Sequence, residues 1–317
     1  MDKTKFDYRE VNLIPRQCIV ESRSECDTKL TFGAHTFNLP IVPANMSSVI
    51  NPELAEKLAL NGHFYIMHRF LTDEQIMTFV KNMNEKKLIT SISIGVKDRD
   101  KYLIDQLIDN QLNIDYITID IAHGHAKSVK EMIAYIKSRY SNTFIIAGNV
   151  ASEQAVVDLQ HWGADAIKVG VAPGKACTTA YMTSFGSRNC QASTVLECCR
   201  VAKVPIIADG GIEFPGDIAV ALTMGATLIM TGALLAGCTD SPGELKFINN
   251  EYIKEYWGSA SQHESGKANR IEGTMKLIPY KNKTLLEQYN FLQECLQSAI
   301  SYGGGNSLQV FDYVRWK

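Results

Sequence analysis

Eight short apolar runs punctuate the sequence and limit what it can fold into. They cover residues 39–46, 64–69, 89–96, 116–122, 144–150, 166–171, 205–211 and 226–232. Each has the length of a strand, is rich in Ile and Val, and is bounded by turn residues. That is the pattern of a strand covered on both faces. Helical signals fill the gaps. Asn51-Pro52-Glu53 puts a capping side chain before a proline at the first helical position, with Gly62 to stop the helix. Thr72-Asp73-Glu74 opens a second helix with Ile76, Phe79, Val80 and Met83 on one face. Ser152 starts a third that Gly163 ends, and Pro215-Gly216-Asp217 leads into a fourth that Gly225 ends. Eight alternating β and α units predict an α/β fold, the (β/α)8 TIM barrel. The competitor, an open doubly wound sheet, calls for a Gly-x-Gly-x-x-Gly turn after its first strand. Pro43-Ala44-Asn45-Met46 is not one.

The spacing also locates the chemistry. Run starts lie about 21 to 28 residues apart, but 39 residues separate 166 from 205. The loop after the sixth strand is therefore enlarged, and loops after strands carry the active sites of such barrels. Residues 233–283 read as polar and irregular, which fits either a linker or an active-site flap. Residues 284–302 read as a closing helix with Leu285, Tyr289, Leu292 and Leu296 along one face, ended by Gly303-Gly304-Gly305. One barrel domain over 1–317, with a flap at 240–283 and this C-terminal helix, accounts for the whole chain.

Composition narrows the function. The net charge of −2 gives no broad attraction to nucleic acid or to an anionic membrane. The first residues lack the apolar core of a secretory signal, and no apolar run approaches the ~20 residues of a spanning helix. A cytoplasmic protein is expected. The eight cysteines (Cys18, Cys26, Cys177, Cys190, Cys198, Cys199, Cys238 and Cys295) contain no Cys-x-x-Cys pair, so a zinc ribbon is not indicated.

Three features fall at the ends of the sixth, seventh and eighth runs. Gly170-Val171-Ala172-Pro173-Gly174-Lys175-Ala176-Cys177-Thr178-Thr179 opens the enlarged loop. Its amides and hydroxyls are surroundings that favour a thiolate, so Cys177 is the best nucleophile candidate, with a packed loop thiol as the alternative. Ala208-Asp209-Gly210-Gly211 and Thr231-Gly232-Ala233 end the next two runs. Amides of Gly210, Gly211, Gly232 and Ala233 could cradle a phosphate, and Asp209 could accept ribose hydroxyls. Two glycine turns and a solvated aspartate are the plainer reading. Asn45, Ser47, Ser48, His68, Arg69, Asp120 and Asn149 crowd other strand ends. His123 and His125 have the spacing of a metal pair, but no third ligand is evident.

These segments carry a resemblance to the bacterial-type GMP reductases of the IMP dehydrogenase/GMP reductase superfamily. It runs nearly end to end. It covers Phe6-Asp7-Tyr8, Leu13-Ile14-Pro15, Ser22-Arg23-Ser24-Glu25-Cys26-Asp27, Pro43-Ala44-Asn45-Met46 and Met67-His68-Arg69-Phe70. It continues through residues 120–125, Ala147-Gly148-Asn149-Val150, Cys177-Thr178-Thr179, residues 208–211 and Tyr256-Trp257-Gly258-Ser259.

The resemblance implies NADPH-dependent reductive deamination of GMP to IMP and ammonia, a step in purine nucleotide interconversion. It implies Cys177 as nucleophile forming a covalent thioimidate, with Thr179 and Glu272 handling the proton of the departing amine. GMP would lie at Asp209, Gly210, Gly211, Gly232, Ala233, Gly258 and Ser259. The dinucleotide would lie at Arg69, Asp120 and Ile121, with Ser22 and Arg23 reaching in from a neighbouring subunit of a homotetramer. Carbonyls of Ala172, Gly174 and Cys177 would hold a monovalent cation, potassium. The chain departs from the family pattern at Ala172 and Ala233, where glycine is usual, and over residues 180–191, where basic residues and Thr-Gly-x-Gly are usual. Three other readings compete. They are IMP oxidation, whose enzymes typically carry an inserted domain that this chain lacks after its second run; a catalytically silent purine-nucleotide-binding module; and a flavin-dependent barrel oxidoreductase.

Overall fold

The fold follows from the alternation of buried runs and amphipathic helices. A computed structural model describes residues 5–174, 177–258 and 273–317 of the chain. A hairpin of β1 (Leu30–Phe32) and β2 (His35–Phe37) precedes β3 (Ile41–Pro43). Then come α1 (Pro52–Leu60), α2 (Asp73–Glu85), β4 (Ser91–Ile94), α3 (Asp98–Asp109), β5 (Tyr116–Asp120) and α4 (Lys127–Arg139). They are followed by β6 (Phe144–Val150), α5 (Glu153–Trp162) and β7 (Ala166–Val169). The enlarged loop after β7 contains α6 (Thr179–Thr183) and α7 (Gln191–Val201). The chain continues with β8 (Ile206–Asp209), α8 (Pro215–Thr223) and β9 (Leu228–Thr231). Asn51, Thr72 and Ser152 cap their helices through side-chain oxygens, as their positions predict.

Seven parallel strands pair in the order β3-β9-β8-β7-β6-β5-β4. The sheet curls until its two edges meet, where Asn45 Nδ2 donates to Ser93 Oγ at 3.1 Å. The result is a TIM-barrel-like ring with helices outside. The run 64–69 takes the remaining place but forms only one parallel bridge, Met67 to Ile92. The Tyr65 hydroxyl explains the reduction: it donates to the Ile89 carbonyl at 2.7 Å and accepts from the Ser91 amide at 3.3 Å. A side chain thus takes backbone groups that a ladder would use.

The two ends of the ring differ. At the strand starts, β1–β2 inserts Phe32 and Phe37 among Phe64, Tyr116 and Phe144, and Tyr116 donates to the Phe32 carbonyl at 2.6 Å. This apolar plug closes that end. The strand ends are lined with polar side chains and open into a cleft.

Residues 233–283, read above as irregular, contain three strands instead. β10 (Leu245–Ile248), β11 (Glu251–Trp257) and β12 (Met275–Pro279) form an antiparallel sheet. Asn249 and Asn250 both take left-handed backbone, φ 51° and 68°, at the β10–β11 turn. Two-residue hairpins require that geometry, and asparagine tolerates it. The final helix, α9 (Leu285–Tyr302), is capped by Thr284 and buries Leu285, Tyr289, Leu292 and Leu296.

Candidate active site

The floor of the cleft is a line of charges. Lys168, on β7, is 1% exposed. Its ammonium donates to Asp120 Oδ1 at 3.0 Å and to Asn45 Oδ1 at 3.0 Å, and lies 3.1 Å from Asp209 Oδ2. Asp209 Oδ2 also accepts from Asn149 Nδ2 at 2.7 Å, and the same amide donates to the Gly170 carbonyl. Arg69 extends the line, with its Nε 3.7 Å from Asp120 Oδ2. Charges therefore alternate as Arg69, Asp120, Lys168, Asp209. Burial alone would raise the Asp120 carboxyl, but Lys168 and Arg69 hold it below the ordinary aspartate value. Burial would likewise lower the Lys168 ammonium, but Asp120 and Asp209 hold it above the ordinary lysine value.

The wall of the cleft is the loop that leaves β7. Gly170 is required there. Its φ is +154°, and a Cβ on it would lie 2.0 Å from the Asp209 carbonyl. The loop then returns over the end of β8, where Pro173 and Gly174 pack on Gly210. Cys177 is half-buried, its Sγ is 3.3 Å from Thr179 Oγ1, and its amide donates to the Gly174 carbonyl at 3.3 Å. The Cys177 backbone also bridges Gly273, just before β12. Burial pushes the thiols of Cys198, Cys199 and Cys238 up to about 12, which leaves them inert.

The roof is the end of β11. Ser48 Oγ donates to the Trp257 carbonyl at 3.0 Å, and Trp257 Nε1 donates to Ser47 Oγ at 3.0 Å. Ser47 and Ser48 thus tie the antiparallel sheet to the barrel. Tyr256 is buried beside Gly232, where a Cβ would lie 2.5 Å from the Tyr256 hydroxyl. Only glycine fits that contact.

The cleft encloses about 340 Å³. Arg69, Asp120, Ile121, Cys177, Thr179 and Asp209 line it together, as do Ala172, Gly174, Gly210, Gly232 and Gly258. Gly211 packs on Tyr8 and Gln191, and Ala233 follows Gly232 in the turn after β9; neither is among the described residues that line the cleft. The Gly210 amide donates to the Met230 carbonyl at 3.1 Å, so it belongs to the sheet and is not free to cradle an anion. Ser22 and Arg23 are exposed, outside the cleft, with Arg23 3.1 Å from Glu294. Ser259 and Glu272 lie outside the described residues. His125 is bound to Asp158 at 2.8 Å and stacked on Trp162. Among the described residues no group of three His, Cys, Asp or Glu could hold a metal ion. No helix among them is long and apolar enough to cross a membrane.

Sequence reasoning assigned Lys168 and Tyr256 no role in the site. A signal for Lys168 existed, since it is the one charged residue in the run 166–171. Tyr256 stood in the segment Tyr256-Trp257-Gly258-Ser259 that carries the family resemblance, but its place was hidden because its strand was not expected.

Comparison with known proteins bears on this geometry. A family model described as IMP dehydrogenase / GMP reductase domain matches residues 5–313. The GMP reductase of Mesoplasma florum is 51% identical over 313 residues, covering 98% of this chain and 97% of that protein. The GMP reductase of Pediococcus pentosaceus is 51% identical over 312 residues, covering 98% and 95%. The GMP reductase of Helicobacter pylori is 50% identical over 315 residues, covering 98% and 95%.

Proposed function

The chain belongs to the IMP dehydrogenase / GMP reductase family, and from that premise we propose that it reduces GMP to IMP and ammonia at the cleft, with NADPH as the reductant. The observation that carries this reading is the pairing of Cys177 with Thr179, 3.3 Å apart, beside a charged floor that offers acceptor oxygens. The Cys177 thiolate adds to C2 of the purine. The C2–N bond then breaks, and the amine leaves as ammonia once it has gained a proton. Splitting one hard displacement into two steps is the advantage of a sulfur nucleophile. Thr179 is placed to relay that proton, with Glu272 as the acid behind it. The resulting thioimidate joins Cys177 to the purine.

NADPH, when bound, would supply the hydride to C2, and Cys177 would depart as the thiolate. The residues fit such a guest. Arg69 Nε and Asn149 Oδ1 are buried without a hydrogen-bond partner among the described residues, and both side chains line the cleft. Asp209 would offer Oδ1 to the ribose of GMP, with Gly210, Gly232 and Gly258 lining the same cleft, and Gly211, Ala233 and Ser259 would meet the nucleotide beyond it. Asp120, Ile121 and Arg69 face the dinucleotide, with Ser22 and Arg23 supplied by a second subunit of a tetramer. Carbonyls of Ala172, Gly174 and Cys177 would hold potassium, which favours neutral oxygen ligands.

The test is the NADPH absorbance of purified protein with GMP in potassium buffer. A GMP-dependent loss with IMP as product is expected. A gain with IMP and NAD, and no loss with GMP, assigns the oxidative reaction instead. Binding of GMP without turnover leaves a nucleotide-binding module.

A further inference from the structure

Lys168 touches neither guest in the reading above, yet it joins the two carboxylates that do. An ammonium has three N–H donors. Those of Lys168 face three oxygens, Asn45 Oδ1, Asp120 Oδ1 and Asp209 Oδ2, all within 3.1 Å, with Met230 Sδ at 3.6 Å behind them. No donor is left for a ligand. At 1% exposure, no bulk water can replace a lost partner.

The two carboxylates come from strands on opposite sides of β7. Asp120 ends β5 and Asp209 ends β8. Because both oxygens contact one nitrogen, they are no more than about 6 Å apart, a distance at which like charges strongly disfavour each other. Arg69 offsets Asp120 only from 3.7 Å, and Asn149 gives Asp209 a neutral donor. The remaining floor groups, Asn45 and Met230, carry no charge.

We propose that Lys168 is a positioning residue that holds Asp120 and Asp209 at the two ends of the cleft floor, so that both accept ligand hydroxyls at once. Asp209 spends Oδ2 on Lys168 and Asn149 and keeps Oδ1 without a protein partner among the described residues. The nucleotide end and the dinucleotide end thus share one support. This inference rests on the assignment of GMP to Asp209.

The experiment measures GMP affinity by titration calorimetry for wild type, Lys168→Met, Asp120→Asn and the double variant, with thermal melts as a check on folding. Lys168→Met is expected to weaken GMP at least ~10-fold. Adding Asp120→Asn removes the opposing charge, and the double variant is expected to bind GMP within ~3-fold of Asp120→Asn alone. A merely structural lysine would not be rescued in this way. Wild-type affinity in Lys168→Met, or a double variant no better than Lys168→Met, overturns the proposal. If Lys168→Met does not fold, the Asp120→Asn pair decides: agreement within ~3-fold supports it, and a further loss of ~10-fold overturns it. If wild type itself fails to bind GMP, the proposed function falls, and Lys168 is judged by crystallography of Lys168→Met or the double variant. Carboxylates displaced by more than ~1 Å support the positioning role, and carboxylates within ~0.5 Å of their places overturn it.

Discussion

The floor and the wall of the cleft both begin at β7 and are built on opposite principles. The floor is a buried Lys168 and the buried or partly buried groups that satisfy its ammonium. The wall, starting two residues later, is bent through left-handed backbone at Ala172, Ser184 and Asn189 and leaves Tyr181, Met182 and Phe185 exposed. One element fixes acceptors in place, and the other delivers a thiol. The contrast separates two kinds of residue. Floor substitutions should cost stability and binding together. Removing the thiol that the wall carries should cost turnover and leave the fold alone.

Cys177→Ala is the largest test of the wall. Turnover should fall by at least ~10³-fold, while the melting temperature stays within the shift expected for ~0.5 kcal/mol. A large loss of stability would erase the distinction. Lys168→Met is the matching test of the floor. Leaving two partly buried carboxylates without their cation should destabilise the protein by up to about 3 kcal/mol, read by denaturant unfolding.

His63 sharpens the comparison from the other side of the barrel. It is 6% exposed, its ring lies 4.5 Å from that of Tyr289, and its Nδ1 has no partner among the described residues. Where Lys168 is buried with counter-charges and stays charged, burial lowers His63 to about 4 and keeps it neutral. The unfolded chain takes that proton near the ordinary histidine value of 6.5. Stability contributed by neutral His63 is therefore complete above pH 6.5 and is lost as pH falls from 6.5 toward 4, by up to ~3 kcal/mol. His63→Gln should flatten that part of the stability–pH curve, and an unchanged slope would refute the assignment.

Ala172→Gly is the smallest change. Ala172 holds φ +57° at 6% exposure, a conformation that costs a side-chain residue about 1 kcal/mol and glycine little. The variant should gain up to ~1 kcal/mol in thermal unfolding, less the entropy of a freer unfolded chain.

Most of the barrel was legible because buried parallel strands write themselves as apolar runs. The run 144–150 became β6 with the same limits. The run 64–69 shrank to a bridge because the Tyr65 hydroxyl captured its neighbour's backbone, which no hydropathy pattern reports. The antiparallel sheet was hidden by buried charge. Lys254 and Glu255 sit inside β11, satisfied by Cys238, Ser241 and Lys246. Asn249-Asn250 was the turn signal left unread. Cys177 and Asp209 stood out because glycines frame their segments, and Thr179 because of the family resemblance. Lys168 did not, because its partners Asp120 and Asn45 lie 48 and 123 residues away, and only ring closure unites them.

The proposed reaction depends on Cys177 acting as a nucleophile against a fixed floor. The most direct measurement is peptide mass spectrometry of enzyme acid-quenched during turnover with GMP and limiting NADPH. The expected result is a purine-nucleotide adduct, GMP less ammonia, on the peptide containing Cys177, and its absence in Cys177→Ala. Full turnover with no adduct in wild type, or an adduct that persists in Cys177→Ala, would contradict it.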